Sequence, residues 1–235
     1  MIEAALYLIP VQLSDGPLTD VLPARNLAVV KEIRHFIVEN TRSARRFLKK
    51  CDPAIEIDGL TFSELNRHTA EDDIPAMLEP LARGEAVGVI SEAGCPAIAD
   101  PGADIVAIAQ RRGYRVKPLV GPSSLLMGLM ASGFNGQSFA FLGYLPIEAG
   151  ARAKALKEMT QRVRQLDQTQ IFIETPYRNR ALLDDLCRLL PPQMRLCVAR
   201  DITGRQESIT TLTVAQWAKR DHEIGKVPAI FLIYK

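Results

Sequence analysis

The 235 residues carry 29 Lys and Arg against 27 Asp and Glu, a formal charge of +2, with 47% apolar and 24% charged side chains. That balance describes a folded chain long enough for one large or two modest domains, and it excludes both a disordered polyelectrolyte and a protein that holds nucleic acid by overall charge alone. Cys51, Cys95, Cys187 and Cys197 are scattered with no CxxC pair, so neither a metal site nor a disulfide framework is expected. With no basic-apolar leader and no apolar run of membrane length, the expected location is the cytoplasm.

In chain order, apolar runs at residues 5–9, 35–38, 86–90 and 116–120 are each followed by polar or Gly/Pro residues, with helical periodicity between them. This is βα repetition, and it predicts a mostly parallel sheet. A second set of strands is predicted at 139–142, 171–173, 196–199 and 229–234. Between the first two of these lies a long, basic, amphipathic helix over 151–166. A further helix is expected to begin at Pro176 behind a Thr175 cap and to stop before Pro191 and Pro192. Gly133, Asn135 and Gly136 interrupt the pattern, which places a boundary between two α/β lobes at residues 1–135 and 136–235.

The stretch from Gly88 to Gly102 runs from a buried strand through a polar loop into a helix. Ser91, Glu92, Gly94 and Cys95 are residues that no core requires; Asp100 is placed to cap the helix and Pro101 to open it, and Gly113 ends it. Three other strand ends resemble it: Glu39-Asn40-Thr41-Arg42, Gly121-Pro122-Ser123-Ser124 and Glu174-Thr175-Pro176-Tyr177-Arg178. Asn40 or Thr41, Ser123 and Thr175 suit helix N-caps. Glu39, Glu92 and Glu174 are different, because a carboxylate at the end of a buried strand needs a partner, a ligand or water. Ligands of open α/β sheets sit beyond strand carboxyl ends, so these turns predict a polar cleft. Neither GxxxxGK[ST] nor GxGxxG occurs, which argues against a P-loop nucleotidase and an ordinary dinucleotide-binding domain.

These segments, together with Leu6-Tyr7-Leu8-Ile9-Pro10, Gly143-Tyr144-Leu145-Pro146 and Ala199-Arg200-Asp201-Ile202-Thr203, occur in the order of a known family. The chain resembles the tetrapyrrole-methylase-type (class III) S-adenosylmethionine-dependent methyltransferases, and within them the ribosomal RNA small subunit methyltransferase I group. The resemblance implies an α/β fold of two lobes, a mostly parallel sheet in the first and a mixed sheet in the second. It also implies a homodimer, S-adenosylmethionine in the cleft between lobes, and methyl transfer to a ribose 2′-hydroxyl of ribosomal RNA. By position, Leu13, Gly94, Cys95, Pro96 and Ile98 would line the cofactor from the first lobe, with Ser123 and Ser124 at the linker side. Thr175, Ala199 and a residue near Pro228 would line it from the second. The chain departs from the group where Glu-Asp-Thr-Arg becomes Glu39-Asn40-Thr41-Arg42 and where His-Glu-His-Asn becomes Ser63-Glu64-Leu65-Asn66. A third departure replaces Thr-Pro-Ile-Gly-Asn by the segment from Val11 to Pro17, and the small C-terminal extension of many members has no counterpart. Tetrapyrrole-methylating relatives read Gly-Asp-Pro at Gly94-Cys95-Pro96, which counts against a small tetrapyrrole acceptor. A non-catalytic protein that binds S-adenosylmethionine is the remaining alternative.

A hydroxyl acceptor calls for a carboxylate as general base or hydrogen-bond acceptor, and Glu39, Glu92 and Glu174 are the candidates, with Asp100 behind them. Arg42 and Arg178 would pair with these groups or hold phosphates. His35, His68 and His222 are expected to be surface or structural. Arg42, Arg45, Arg46, Lys49 and Lys50 form a basic helix expected to guide RNA phosphates, and Arg152, Lys154, Lys157, Arg162 and Arg164 decorate the helix of the second lobe. Interleaved aromatics are few, so base stacking is not strongly expected.

Overall fold

A computed structural model describes residues 2–220 and 224–235, so His222 lies outside the described residues. The chain forms two compact units, one through Ser123 and one from Ser124 onward.

In the first unit β1 (Leu6–Ile9), β2 (His35–Val38), β3 (Thr61–Glu64), β4 (Val87–Ile90) and β5 (Val116–Pro118) form one sheet in the order β3-β2-β4-β1-β5, every pairing parallel. Alternation along each strand feeds both faces. Tyr7, Ile9, Phe36 and Val38 enter one apolar cluster with α1 (Ala24–Glu32) and α2 (Thr41–Cys51), while Leu6, Ile37, Val87 and Val89 enter another with α4 (Gly102–Arg111). Burial on both faces explains why the strands read as continuous apolar runs. A short helix α3 (Glu79–Ala82) follows a 3₁₀ stretch before β4.

Parallel strands share one carboxyl edge, and the turns leaving it are crowded. Leu119 N–H donates to Leu8 O at 3.0 Å, and buried Asn26 donates Nδ2–H to Val120 O at 2.8 Å. β5, expected over residues 116–120, is shorter, ending at Pro118 and leaving Val120 exposed. Pro118 has no N–H to continue the ladder, which suits it to the end of this edge strand.

The second unit opens with α5 (Ser124–Ser132) and continues through β6 (Phe139–Tyr144), α6 (Ala149–Leu166), β7 (Thr169–Glu174), α7 (Asn179–Leu189), β8 (Arg195–Arg200), β9 (Ser208–Thr213), α8 (Val214–Trp217) and β10 (Ala229–Tyr234). The sheet order is β6-β7-β10-β8-β9, with β6 parallel to β7 and the other pairings antiparallel. The expected mixed sheet is present. One face packs Phe172 and Phe231, stacked at 5.8 Å, against Leu156, Met159, Val163 and Leu183. The other receives α5, where a Cβ on Gly128 would fall 2.3 Å from Ile230 Cδ1. That contact moves the boundary: α5 packs on β9 and β10, so the division falls between Ser123 and Ser124, ahead of the expected break after residue 135.

Two strands escaped the sequence reading, β3 and β9, both at sheet edges. The expected helix at Pro176 begins instead at Asn179, because residues 175–178 close a turn through Arg178 N–H to Thr175 O at 2.9 Å.

Gly121 tests the packing of the carboxyl edge. A Cβ there would lie 2.2 Å from Pro10 Cβ, on a ring that cannot swing away. Gly121→Ala is expected to cost about 1–3 kcal/mol of stability of the first unit, measured by urea unfolding followed by circular dichroism.

Candidate functional site

At the carboxyl edge of the first sheet three carboxylates converge from two neighbouring strands. Glu39 follows β2, and Glu92 and Asp100 lie on the segment that follows β4. Half-buried Glu39 is raised above the ordinary carboxylate range, first by burial and then by the negative charges of Glu92 and Asp100, against a hydrogen bond from the Glu92 N–H. Beneath it, Glu39, Leu65, Ser91, Asp100 and Gly102 border a cavity of about 10 Å³, room for a single water.

Each neighbour of Glu39 is held by its own partner. Ser43 Oγ–H donates to Glu92 Oε1 at 2.5 Å, joining the first turn of α2 to the loop after β4. Asn40 is the cap of α2, its Oδ1 accepting from Arg42 N–H at 3.0 Å and Ser43 N–H at 3.1 Å. An amide oxygen does this as well as a carboxylate, so the Asp-to-Asn departure preserves the helix start while removing one charge from the edge. Glu64 Oε1 accepts from Thr41 N–H at 3.0 Å. Ser43 and Glu64 were missed by sequence reasoning; only their position beside the Glu39 turn could have signalled them.

Asp100 works chiefly as a brace. Its carboxylate accepts from Ala97 N–H at 2.9 and 3.0 Å and from Gly102 N–H at 2.7 Å. Burial raises its proton affinity, and these backbone donors oppose the rise. The helix begins at Gly102, one residue after the expected Pro101, and Asp100 reaches its first N–H from outside. Within this segment Ala97 and Ala99 take φ of +67° and +61°, left-handed values uncommon for alanine, and Asp100 is bonded to the first of them.

The expected cofactor residues of the first unit come from three segments that meet around Gly94. Gly94, at φ +72°, pairs with Val11 through two backbone hydrogen bonds of 2.9 and 3.0 Å, and a Cβ on it would meet Leu13 Cδ2 at 3.2 Å. Cys95 Sγ–H points to Pro122 O at 3.4 Å. Pro96 is buried, Ile98 exposed and Ser123 half-buried. Leu13, Gly94, Cys95 and the Gly121-Pro122-Ser123 turn are therefore brought together. Arg42 is exposed on the first turn of α2. Further along, Arg45 stacks on Phe62 at 5.4 Å, Lys49 Nζ donates to Pro53 O at 2.8 Å and Lys50 Nζ to Gln12 Oε1 at 2.8 Å.

In the second unit Glu174 ends β7, with Oε1 accepting from Arg178 Nε and Nη2 at 2.9 and 2.7 Å and from Thr175 N–H at 2.6 Å. Burial alone would raise this carboxyl; Arg178 and the Thr175 N–H outweigh it and hold it below the ordinary range. Ser124 begins α5, Thr175 is half-buried beside Glu174, and buried Ala199 pairs with Ile230. Pro228 is exposed and its carbonyl accepts from Asp201 N–H at 2.9 Å.

A family model described as Tetrapyrrole (Corrin/Porphyrin) Methylases matches residues 16–218. The chain belongs to the tetrapyrrole methylase family. Among curated relatives, this methylase is 30% identical to a ribosomal RNA small subunit methyltransferase I of Vibrio cholerae, over 97% of the chain and 76% of that protein. It is 31% identical to the protein of that name from Pseudomonas aeruginosa, over 93% and 75%. Solved structures support the fold: the methyltransferase CobJ superposes with a TM-score of 0.64 at 17% identity, covering 98% of this chain and 94% of that one. A uroporphyrin-III C-methyltransferase from Thermus thermophilus, complexed with S-adenosyl homocysteine, gives 0.58 at 16% identity, covering 98% and 97%. The expected fold and the expected methyltransferase class both stand. Among the described residues no helix of the methylase is long and apolar enough to cross a membrane.

The two kinds of carboxylate predict opposite pH behaviour. Folding raises Glu39 above its unfolded value, so the native state holds the extra proton and stability falls as pH climbs through that interval. Glu39→Gln should raise the urea midpoint of the first unit at pH 7 and leave it unchanged at pH 3.5, where ~pH 3.5 lies below the unfolded carboxyl value. Folding lowers Glu174, so its contribution is present above the unfolded value and lost on acidification. Glu174→Gln should lower the midpoint of the second unit at pH 7, with the difference shrinking as acid protonates the wild type.

Proposed function

We propose that the chain transfers a methyl group from S-adenosylmethionine to a ribose 2′-hydroxyl of small-subunit ribosomal RNA, as a cytoplasmic homodimer. The observation that carries this reading is the curated relatives at about 30% identity over nearly the whole chain, which are named for the ribosomal RNA of the small subunit. The hydroxyl acceptor and the pairing of subunits are our own extension.

The residues of the first unit suit such a donor. Gly94 draws the turn against Leu13 and the Pro122 carbonyl more closely than a side chain would allow, exposed Ile98 offers apolar surface, and Glu92 offers negative charge toward a cation. When bound, S-adenosylmethionine supplies a methyl group already activated on a sulfonium. What remains for the chain is alignment and the proton. Glu39 is suited to the proton: burial first, and then the negative charges of Glu92 and Asp100, raise its proton affinity above that of an ordinary carboxylate. Ser43 fixes Glu92, and Asp100 fixes the loop that presents it. Glu174 is supported as an orienting group, since Arg178 and Thr175 occupy its Oε1. Exposed Leu126 and Met130 on α5 support a twofold partner, testable as a dimer mass by light scattering.

The test is methyl transfer from radiolabelled S-adenosylmethionine to small ribosomal subunits from a strain lacking the gene, with nucleosides read by mass spectrometry and a tetrapyrrole as competing acceptor. A 2′-O-methylated nucleoside is expected. Glu39→Gln should lower kcat by roughly 10²-fold or more while calorimetric affinity for S-adenosylmethionine stays within about twofold. Methylation of the tetrapyrrole alone would establish the small-molecule reading. Cofactor binding without turnover on either acceptor would establish a non-catalytic protein.

A further inference from the structure

Three side chains that the reading above does not use, Tyr144, Tyr177 and Lys226, stand with Arg178 at one edge of the second sheet. Parallel pairing of β6 and β7 sets Tyr144 opposite Ile173, next to Glu174. Antiparallel pairing of β10 sets Ala229 opposite Glu174, so the segment before β10 arrives at the same edge. Buried Asn179 fastens that segment to the start of α7, donating Nδ2–H to Val227 O at 2.9 Å. The result is a fixed edge bearing Tyr144, Tyr177, Arg178 and Lys226.

Both tyrosines face water, Tyr177 at 82% and Tyr144 at 57% exposure. A single exposed aromatic is unremarkable, but here each has a cation beside it. Lys226 Nζ lies 5.8 Å from the Tyr177 ring centroid. The Arg178 guanidinium, anchored on Glu174, lies within electrostatic reach of the Tyr144 hydroxyl. Flat exposed rings next to fixed positive charges supply the two elements that bind an unpaired nucleotide, a stacking face for the base and a counter-charge for its phosphate. The charge of the unit agrees. From Ser124 onward the sequence has 15 Lys and Arg against 10 Asp and Glu, whereas the first unit has 14 against 17.

We propose that Tyr144 and Tyr177, with Arg178 and Lys226, form a stacking surface for unpaired nucleotides of the acceptor RNA. This rests on the RNA reading above and adds a recognition site in the second unit, distinct from the carboxylates of the first.

The probe is a fluorescein-labelled single-stranded oligoribonucleotide of about 12 nucleotides, with a duplex of equal length for comparison, titrated against the full chain at several salt concentrations. Tyr144→Ala and Tyr177→Ala are expected each to weaken single-strand binding about tenfold without changing the salt slope, while Tyr177→Phe binds as wild type. Lys226→Gln should reduce the slope by about 0.7. The duplex should bind more weakly than the single strand. Because both rings are solvent-exposed, the thermal midpoints of the variants should match wild type. Alanine variants that bind like wild type, a Phe variant as weak as alanine, or equal binding of duplex and single strand would overturn the stacking surface while leaving the RNA reading intact. Failure of the wild type to bind either RNA would overturn both.

Discussion

The parallel pairing of β2, β4, β1 and β5 is the constraint on which the first unit depends. Once both faces of that sheet are buried, every strand must leave at the same edge and return by a crossover, so polar residues distant in sequence are delivered to one line. Glu39 and Glu92 are neighbours because β2 pairs with β4 residue for residue, Val38 opposite Ile90. Their mutual repulsion is a cost of the topology, offset by Ser43, by the Glu92 N–H and by the apolar packing beneath.

The second unit solves a different problem with a mixed sheet. There the carboxyl end of β7 meets the amino end of β10, so a carboxylate can be flanked by side chains from a strand start as well as from strand ends. The guanidinium against Glu174 nevertheless comes from its own turn, Arg178 four residues on, whereas Glu39 faces carboxylates from the segment after the neighbouring strand. The same residue type at the same kind of strand end acquires opposite proton affinities in the two units, and the difference lies in those neighbours.

Much of this was legible in the sequence. Strands rich in apolar residues announce themselves as apolar runs, and eight of the ten were found in that way, the half-exposed β5 and β6 among them. β3, Thr61–Glu64, and β9, Ser208–Thr213, were not, because an edge strand half in water is rich in Thr, Ser and Glu and reads as a turn. The carboxylates were visible as residues misplaced in buried strands, and the resemblance carried the rest of the candidate set. Arg178, four residues after Glu174, was read as a pairing residue, and it does pair with that carboxylate. What could not be read was distant partnership: the carboxylates that face Glu39 lie about 50 and 60 residues onward. Nor does an isolated Tyr177 reveal that Lys226 will lie over its ring. The boundary was misplaced for a related reason: glycines at 133 and 136 mark a loop, but only packing of Gly128 on Ile230 shows to which body α5 belongs.

The left-handed alanines at 97 and 99 have a consequence for how the loop keeps its shape. Holding a non-glycine residue in that region costs on the order of 1–3 kcal/mol each, and the Asp100 carboxylate accepts from the N–H of one of them, Ala97, and from that of Gly102 beyond the other. The path of the chain after β4 is thus tied to a side chain as well as to its own backbone, and one carboxylate joins the strained turn to the start of the helix that follows it.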